Sequence, residues 1–176
     1  MREIAGELKV PVMTLYNYVA SKDELNVLIV DHILRPVRVP AEDEGTWRDR
    51  IRKLERDARQ AMGQHRGVSL RNGVRSAEAL RLADGVMSIL TGSGFGEEDA
   101  TRAFAVLYTF MLGQIEVDAF LESTQGGEPT FESVTGGGQA TLDELFEFGF
   151  DVVLAGLDTF LRPDHRPATG KLSRTR

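Results

Sequence analysis

The chain has 176 residues, 41% of them hydrophobic and 27% charged, which suits one medium domain or a small module joined to a larger one. With 21 basic against 27 acidic side chains the formal charge is −6, the wrong sign for coating nucleic acid but not for reading it through a small module. Cysteine is absent, which excludes a disulfide scaffold, a thiolate metal site and a cysteine nucleophile. No apolar run has the length of a membrane span or the form of a signal peptide, so no membrane partner is expected and the expected location is the cytoplasm.

The predicted elements are all helical. Residues 2–8 put Ile4, Ala5 and Leu8 on one face, the stripe of a packed helix. Pro11 interrupts it, because proline disfavours helical backbone in the residue before it. A second short helix follows over 12–19, with Leu15 and Val19 turned inward as core. Ser21-Lys22-Asp23-Glu24 has the form of a capping box, a serine N-cap with an acid three residues on. It opens a helix over 22–34 that carries Leu25, Leu28, Ile29 and Ile33 and stops before Pro36. Residues 37–45, with Pro40 and an acidic run, read as a linker and domain boundary.

Beyond it, Thr46 caps a helix through 62, with Trp47, Ile51, Leu54, Ala58 and Met62 at three- and four-residue steps. Residues 63–73 form a broken stretch, and 76–90 form a helix closed by Thr91-Gly92-Ser93-Gly94. Residues 97–121 are the most apolar helix, 125–138 a glycine-rich loop, and 141–161 the last helix. From Arg162 onward five basic residues face one acid among prolines, the composition of a disordered, solvated tail over 162–176. No strand and no solenoid repeat is predicted. The expected fold is all-α, with a helix-turn-helix module over 1–36 and a helical bundle over 45–161.

The helices 97–121 and 141–161 are apolar on more than one face: Phe104, Val106, Leu107, Tyr108, Phe110 and Met111 in the first, Leu142, Leu145, Phe146, Phe148, Phe150, Val153 and Leu157 in the second. A helix apolar all round is buried all round. These two are therefore expected to form a four-helix bundle across a two-fold axis, giving a homodimer.

The first 34 residues also carry chemistry suited to nucleic acid. Thr14, Tyr16, Asn17 and Tyr18 on a short helix offer hydroxyls, an amide and rings to phosphates and base edges, and Lys22 adds a cation at the next helix start. Ile4-Ala5, Leu8, Val10, Thr14-Leu15-Tyr16, Ser21-Lys22 and Leu25 stand at the spacing of the DNA-binding module of the tetracycline-repressor (TetR) family, which this segment resembles. Trp47-Arg48, the stretch 92–100 and Phe146-Glu147-Phe148-Gly149-Phe150-Asp151 with Leu154 and Gly156-Leu157 resemble the ligand domain of that family, so the likeness runs to about Leu161.

The resemblance implies a DNA-binding regulator, a repressor released by a small apolar ligand. Pro11, Val12, Met13 and Asn17 would stand at base-reading positions, and Thr14, Tyr16, Tyr18 and Lys22 at phosphate-positioning ones, on a palindromic operator. Two departures stand out. Lys9 replaces the usual turn glycine, and because a positive φ strains a lysine the turn is expected to differ slightly there. The chain also starts where the family's second helix starts, so the first helix is expected to be missing, and residues 1–35 hold four bases against five acids. The alternative is then a dimeric small-molecule-binding protein that has lost DNA binding through truncation.

The resemblance places a ligand pocket among helices 46–62, 76–90 and 97–121. Its candidate lining is Leu54, Ala58, Met62, Leu82, Met87, Phe104, Tyr108 and Met111, with His65, Asn72 and Gln114 as polar anchors. No cofactor is expected. His32, His65 and His165 are not at metal-ligand spacing, and no nucleophile elbow, phosphate loop or dinucleotide motif is present, so no enzymatic activity is expected.

Overall fold

A computed structural model describes residues 1–65, 68, 73–124 and 141–161, with backbone only over 119–124. The described residues fold into seven helices: α1 (Arg2–Glu7), α2 (Val12–Tyr16), α3 (Lys22–Leu34), α4 (Trp47–Gly63), α5 (Ala77–Gly92), α6 (Glu97–Thr124) and α7 (Leu142–Leu157). A 3-10 turn over Asp158–Leu161 completes the last of them. The fold is all-α, as the helical periods require. The expectations for Asn72, for the loop 125–138 and for the tail 162–176 lie outside the described residues.

Side-chain caps set most of the helix starts. Thr46 and Asp49 form a reciprocal box at α4, and Thr141 and Glu144 another at α7. The buried Ser76 hydroxyl accepts from the Ala79 amide at 3.0 Å to open α5. The box expected at Ser21 is half formed. Its hydroxyl accepts from the Glu24 amide at 3.0 Å, but the Glu24 carboxylate takes the amide of Ala20 rather than that of Ser21. The extended backbone of Ser21 presents the preceding amide to the acid.

Two helix ends close in the same way. After α5, Gly94 adopts φ +101°, the Phe95 amide reaches the Leu90 carbonyl at 3.2 Å, and the Gly94 amide reaches Thr91 at 3.1 Å. After α1, Val10 donates to Ala5 at 3.0 Å and Lys9 to Gly6 at 3.1 Å, with Lys9 itself at φ +53°. The expectation of an altered turn at Lys9 is therefore corrected. The lysine takes the left-handed conformation because the paired 6→1 and 5→2 hydrogen bonds fix it there. Leu8 also departs from its expected buried face. The helix ends at Glu7, Leu8 occupies the cap, and its side chain is exposed, whereas Ala5 is buried.

One core joins α3 to α7. It contains Val30, Ile33 and Leu34 of α3, Ile51, Leu54, Ala58 and Met62 of α4, Leu82, Val86, Ile89 and Leu90 of α5, Ala103, Leu107 and Ile115 of α6, and Phe146, Phe150, Leu154 and Leu157 of α7. The segment read as a linker is a strap held against this core. Val37 and Pro40 are buried, Arg81 Nη2 donates to the Val37 carbonyl at 2.7 Å, and Arg50 donates through Nε and Nη2 to the Pro40 carbonyl, both at 3.2 Å. Val39 lies so close to Gly85 that an added Cβ would stand 2.4 Å from its Cγ2. Asp31 in α3 accepts from the Glu78 amide at the start of α5 at 3.1 Å, and this bond holds its carboxyl below the usual aspartate range.

Candidate functional site

Two regions carry candidate functional side chains. The first is the surface of α2 and the turn after it. Met13 is 72% and Tyr18 80% exposed, and Pro11, Tyr16, Asn17 and Lys22 are also exposed, while Val12 and Thr14 are half-buried. Val19 is buried and Leu15 half-buried, which leaves the opposite face free to point outward. The helix is shorter than the period suggests: it stops at Tyr16, and Asn17 and Tyr18 sit in its closing turn. Donors in a turn and at a helix end are placed by backbone geometry, and the exposed set mixes apolar, hydroxyl, amide and cationic groups as base and phosphate contact requires.

The second region is a cavity of about 210 Å³ between α3, α4, α5 and α6. Seven of the residues expected to line a pocket do line it: Leu54, Ala58, Met62, Leu82, Phe104, Tyr108 and Met111. They come together because α4, α5 and α6 pack their inner faces on one another, with Leu34 of α3 closing one side. Phe104 and Tyr108 stack along α6, ring centroids 6.0 Å apart, and form a flat wall. Met87 packs on the core outside the cavity, one turn beyond Ala83 and next to Val86 on α5. His65 and Gln114 do not line it either: His65 follows the end of α4 and is exposed, and Gln114 is half-buried on α6.

The polar group that does line the cavity was missed. Glu55 is 4% exposed, its Oε2 has no hydrogen-bond partner among the described residues, and burial pushes its carboxyl up to about 8. The sequence held a signal for it. Ile51, Leu54, Ala58 and Met62 define the inner stripe of α4, and Glu55, four residues after Ile51 and three before Ala58, falls within it.

The neighbouring cations of α4 are committed elsewhere. Arg52 pairs with Glu147 at 3.3 Å and with Asp151, Arg56 with Glu147 at 2.7 Å, and Arg59 with Asp118 at 2.8 Å and Asp143 at 2.7 Å. Arg59 also lies over the Phe146 ring, 4.7 Å from its centre. These arginines lace α4 to α6 and α7. On α7, Phe146 and Phe150 turn inward and stack with centroids 5.4 Å apart, while Phe148 and Val152 are 70% and 57% exposed. Val106 and Val117 of α6 are exposed as well.

The profile of a family described as "Tetracyclin repressor-like, C-terminal domain" matches residues 39–136, more than half of the chain. The chain belongs to the TetR family. It is similar to an HTH-type transcriptional regulator of Saccharopolyspora erythraea, 27% identical over 122 residues that cover 68% of this chain and 52% of the relative. It is also similar to the HTH-type transcriptional repressor DrrR1 of Streptomyces coeruleorubidus, 28% identical over 117 residues, 64% of this chain and 43% of the relative. The chain thus spans about half the length of the curated relatives it matches. Among solved structures, a possible TetR family transcriptional regulator from Streptomyces coelicolor A3(2) superposes with a TM-score of 0.79 at 27% identity, over 92% of this chain and 89% of that one. Apart from Leu34, the described lining of the cavity lies in the part that the family profile covers, and α2 precedes it. Among the described residues no helix is long and apolar enough to cross a membrane, and no group of histidines and acids could hold a metal ion.

Proposed function

We propose that the chain acts in the cytoplasm as a transcriptional repressor that reads a palindromic operator through α2 and is released by a small ligand in the α3–α6 cavity, without enzymatic activity. The observation that carries this reading is the pairing, in one TetR-type chain, of an outward face with Met13, Tyr16, Asn17 and Tyr18 and an apolar cavity. Base readout falls to Pro11, Val12, Met13 and Asn17, with the apolar pair on thymine methyls. Thr14, Tyr16, Tyr18 and Lys22 grip phosphates. Leu34 lines the cavity at one end of α3 and Lys22 opens the other end, so α3 is the element that joins ligand to reading head.

A homodimer accounts for the leftover apolar face. Phe148 and Val152, one turn apart on α7, and Val106 and Val117 on α6 are turned away from the core of their own chain, which fits a four-helix packing with a second copy. Such a dimer would present two reading heads to the two halves of a palindrome.

Fluorescence anisotropy of the native protein on the promoter next to its own gene, at two salt concentrations, tests the reading. Steeply salt-dependent binding is expected. Lys22→Ala should weaken it on every sequence and lower the salt slope by about 1, while Asn17→Ala should relax discrimination at one base position by about 1–3 kcal/mol. Binding that ignores salt, or variants that bind as the wild type does, would remove α2 as the reading element.

A further inference from the structure

The cavity is built almost wholly of aliphatic and aromatic carbon, yet it contains Glu55. A buried carboxyl with an unused oxygen is unfavourable by a margin that ordinary core packing does not offset, and native proteins keep such groups rare. Simple substitution by leucine would remove the problem, so the acid has to be explained by something that meets it. No protein donor does so among the described residues. Arg52, Arg56 and Arg59 of the same helix are bound to Glu147, Asp151, Asp118 and Asp143. From α3 and α5 the lining offers only aliphatic side chains, and from α6 the one titratable group is the Tyr108 phenol, which burial keeps neutral.

We propose that the cavity is a receptor for a small apolar amine, whose ring lies on Phe104 and Tyr108 and whose ammonium group binds the Glu55 carboxylate. This rests on the reading of the cavity as a ligand site. Three features select this class. Among the described residues the lining contains no cation, so an anionic ligand would meet only the acid there. An ammonium brings N–H donors and no acceptor, which matches a carboxylate that lacks donors. The volume exceeds the roughly 150 Å³ apolar cavity known to take benzene, which sets the body of the ligand at one or two rings. Because burial holds the Glu55 carboxyl up to about 8, the ammonium enters as the carboxyl proton leaves to solvent. The complex then contains a charge-assisted pair in place of a neutral acid, and the net charge of the pocket stays at zero.

Calorimetric titration of the native protein with 2-naphthylmethylammonium and with 2-naphthylmethanol, its neutral isostere, decides the matter. The ammonium is expected to bind at least about tenfold tighter, with about one proton released per ligand, read from the heats in two buffers. Its affinity should rise between pH 6 and 8. Glu55→Gln, which keeps the shape of the side chain, should abolish both the preference and the proton release. The proton count in the wild type needs no variant and stands if the variant misfolds. Equal binding of the two probes, binding without proton release, or a preference retained in Glu55→Gln overturns the assignment. If the alcohol alone binds, the cavity remains a ligand site and the amine is wrong. If neither binds while salt-dependent DNA binding persists, the amine and the cavity reading both fall and the DNA reading stands.

Discussion

The turns after α1 and α5 share one hydrogen-bond pattern but stand in different surroundings. Gly94 supplies the left-handed residue after α5, and Phe95 next to it is buried edge-on against Trp47, ring centroids 5.3 Å apart. After α1 the same position is held by Lys9, with an exposed Leu8 before it and a half-buried Val10 after it. In the body, backbone geometry and packing favour the same structure. In the head the backbone turn is kept against the preference of its own residue, with little burial behind it. The body is thus fixed by its core, and the head by local hydrogen bonds that leave its outer face free.

The largest effect that would test this contrast is Phe95→Ala. Loss of a buried ring should lower unfolding stability by about 3–5 kcal/mol in a urea titration. A loss below 1 kcal/mol would mean that the α5–α6 turn does not depend on packing. Glu55→Gln should act in the opposite direction. A carboxyl that stays protonated to about 8 in the folded chain, and ionises near its ordinary 4.5 once unfolded, lowers stability as pH rises between those values. The slope is about 1.4 kcal/mol per pH unit, with no further change outside that window. The glutamine variant is therefore expected to exceed the wild type by about 3 kcal/mol at pH 7 and to match it near pH 4.5. Parallel stability curves for the two proteins would show that the acid is already ionised.

The two turns can be exchanged directly. Gly94→Ala places a Cβ 3.8 Å from Leu161, an ordinary contact, so its cost is that of the backbone alone, about 1–2 kcal/mol. Lys9→Gly removes the same strain from the head. It should gain about 1 kcal/mol, seen as slower hydrogen exchange of the Val10 amide and unchanged exchange in α4. Slowing that spreads to α4 would show that head and body unfold together.

Much of this was legible in the sequence because helices announce themselves. Thr46, Ser76 and Thr141 cap where their hydroxyls stand in the chain, and the α4 stripe of Ile51, Leu54, Ala58 and Met62 is buried as its period requires. The exposed face of α2 was legible for a similar reason, since Leu15 and Val19 mark its inner side. The cavity was only half legible. Its apolar walls follow from periodicity, but polar anchors were sought in His65 and Gln114, residues that look functional in isolation, and the structure puts neither in the lining. Glu55 was passed over because an acid on a helix with five arginines, a lysine and two other acids suggests a solvated face. Only the pairing of Arg52, Arg56 and Arg59 with α6 and α7 leaves its Oε2 without a partner among the described residues. The strap over 37–40 was read as a linker because proline and charge resemble loop composition, whereas its anchors, Arg50 and Arg81, are distant in sequence.

The strap also has a mechanical consequence. With Val37 and Pro40 tied down and Asp31 bonded to α5, the Leu34 end of α3 is a fixed pivot. The 13 residues of α3 then form a stiff rod of about 20 Å, with Lys22 at its free end. A tilt of about 6° at the pivot, the scale of one side chain shifting in the cavity wall, carries Lys22 through about 2 Å, enough to stretch a phosphate hydrogen bond past its working range. On the proposed reading a ligand need not reshape the reading head. A small rotation at the base of one lever would then be sufficient to move it off its groove.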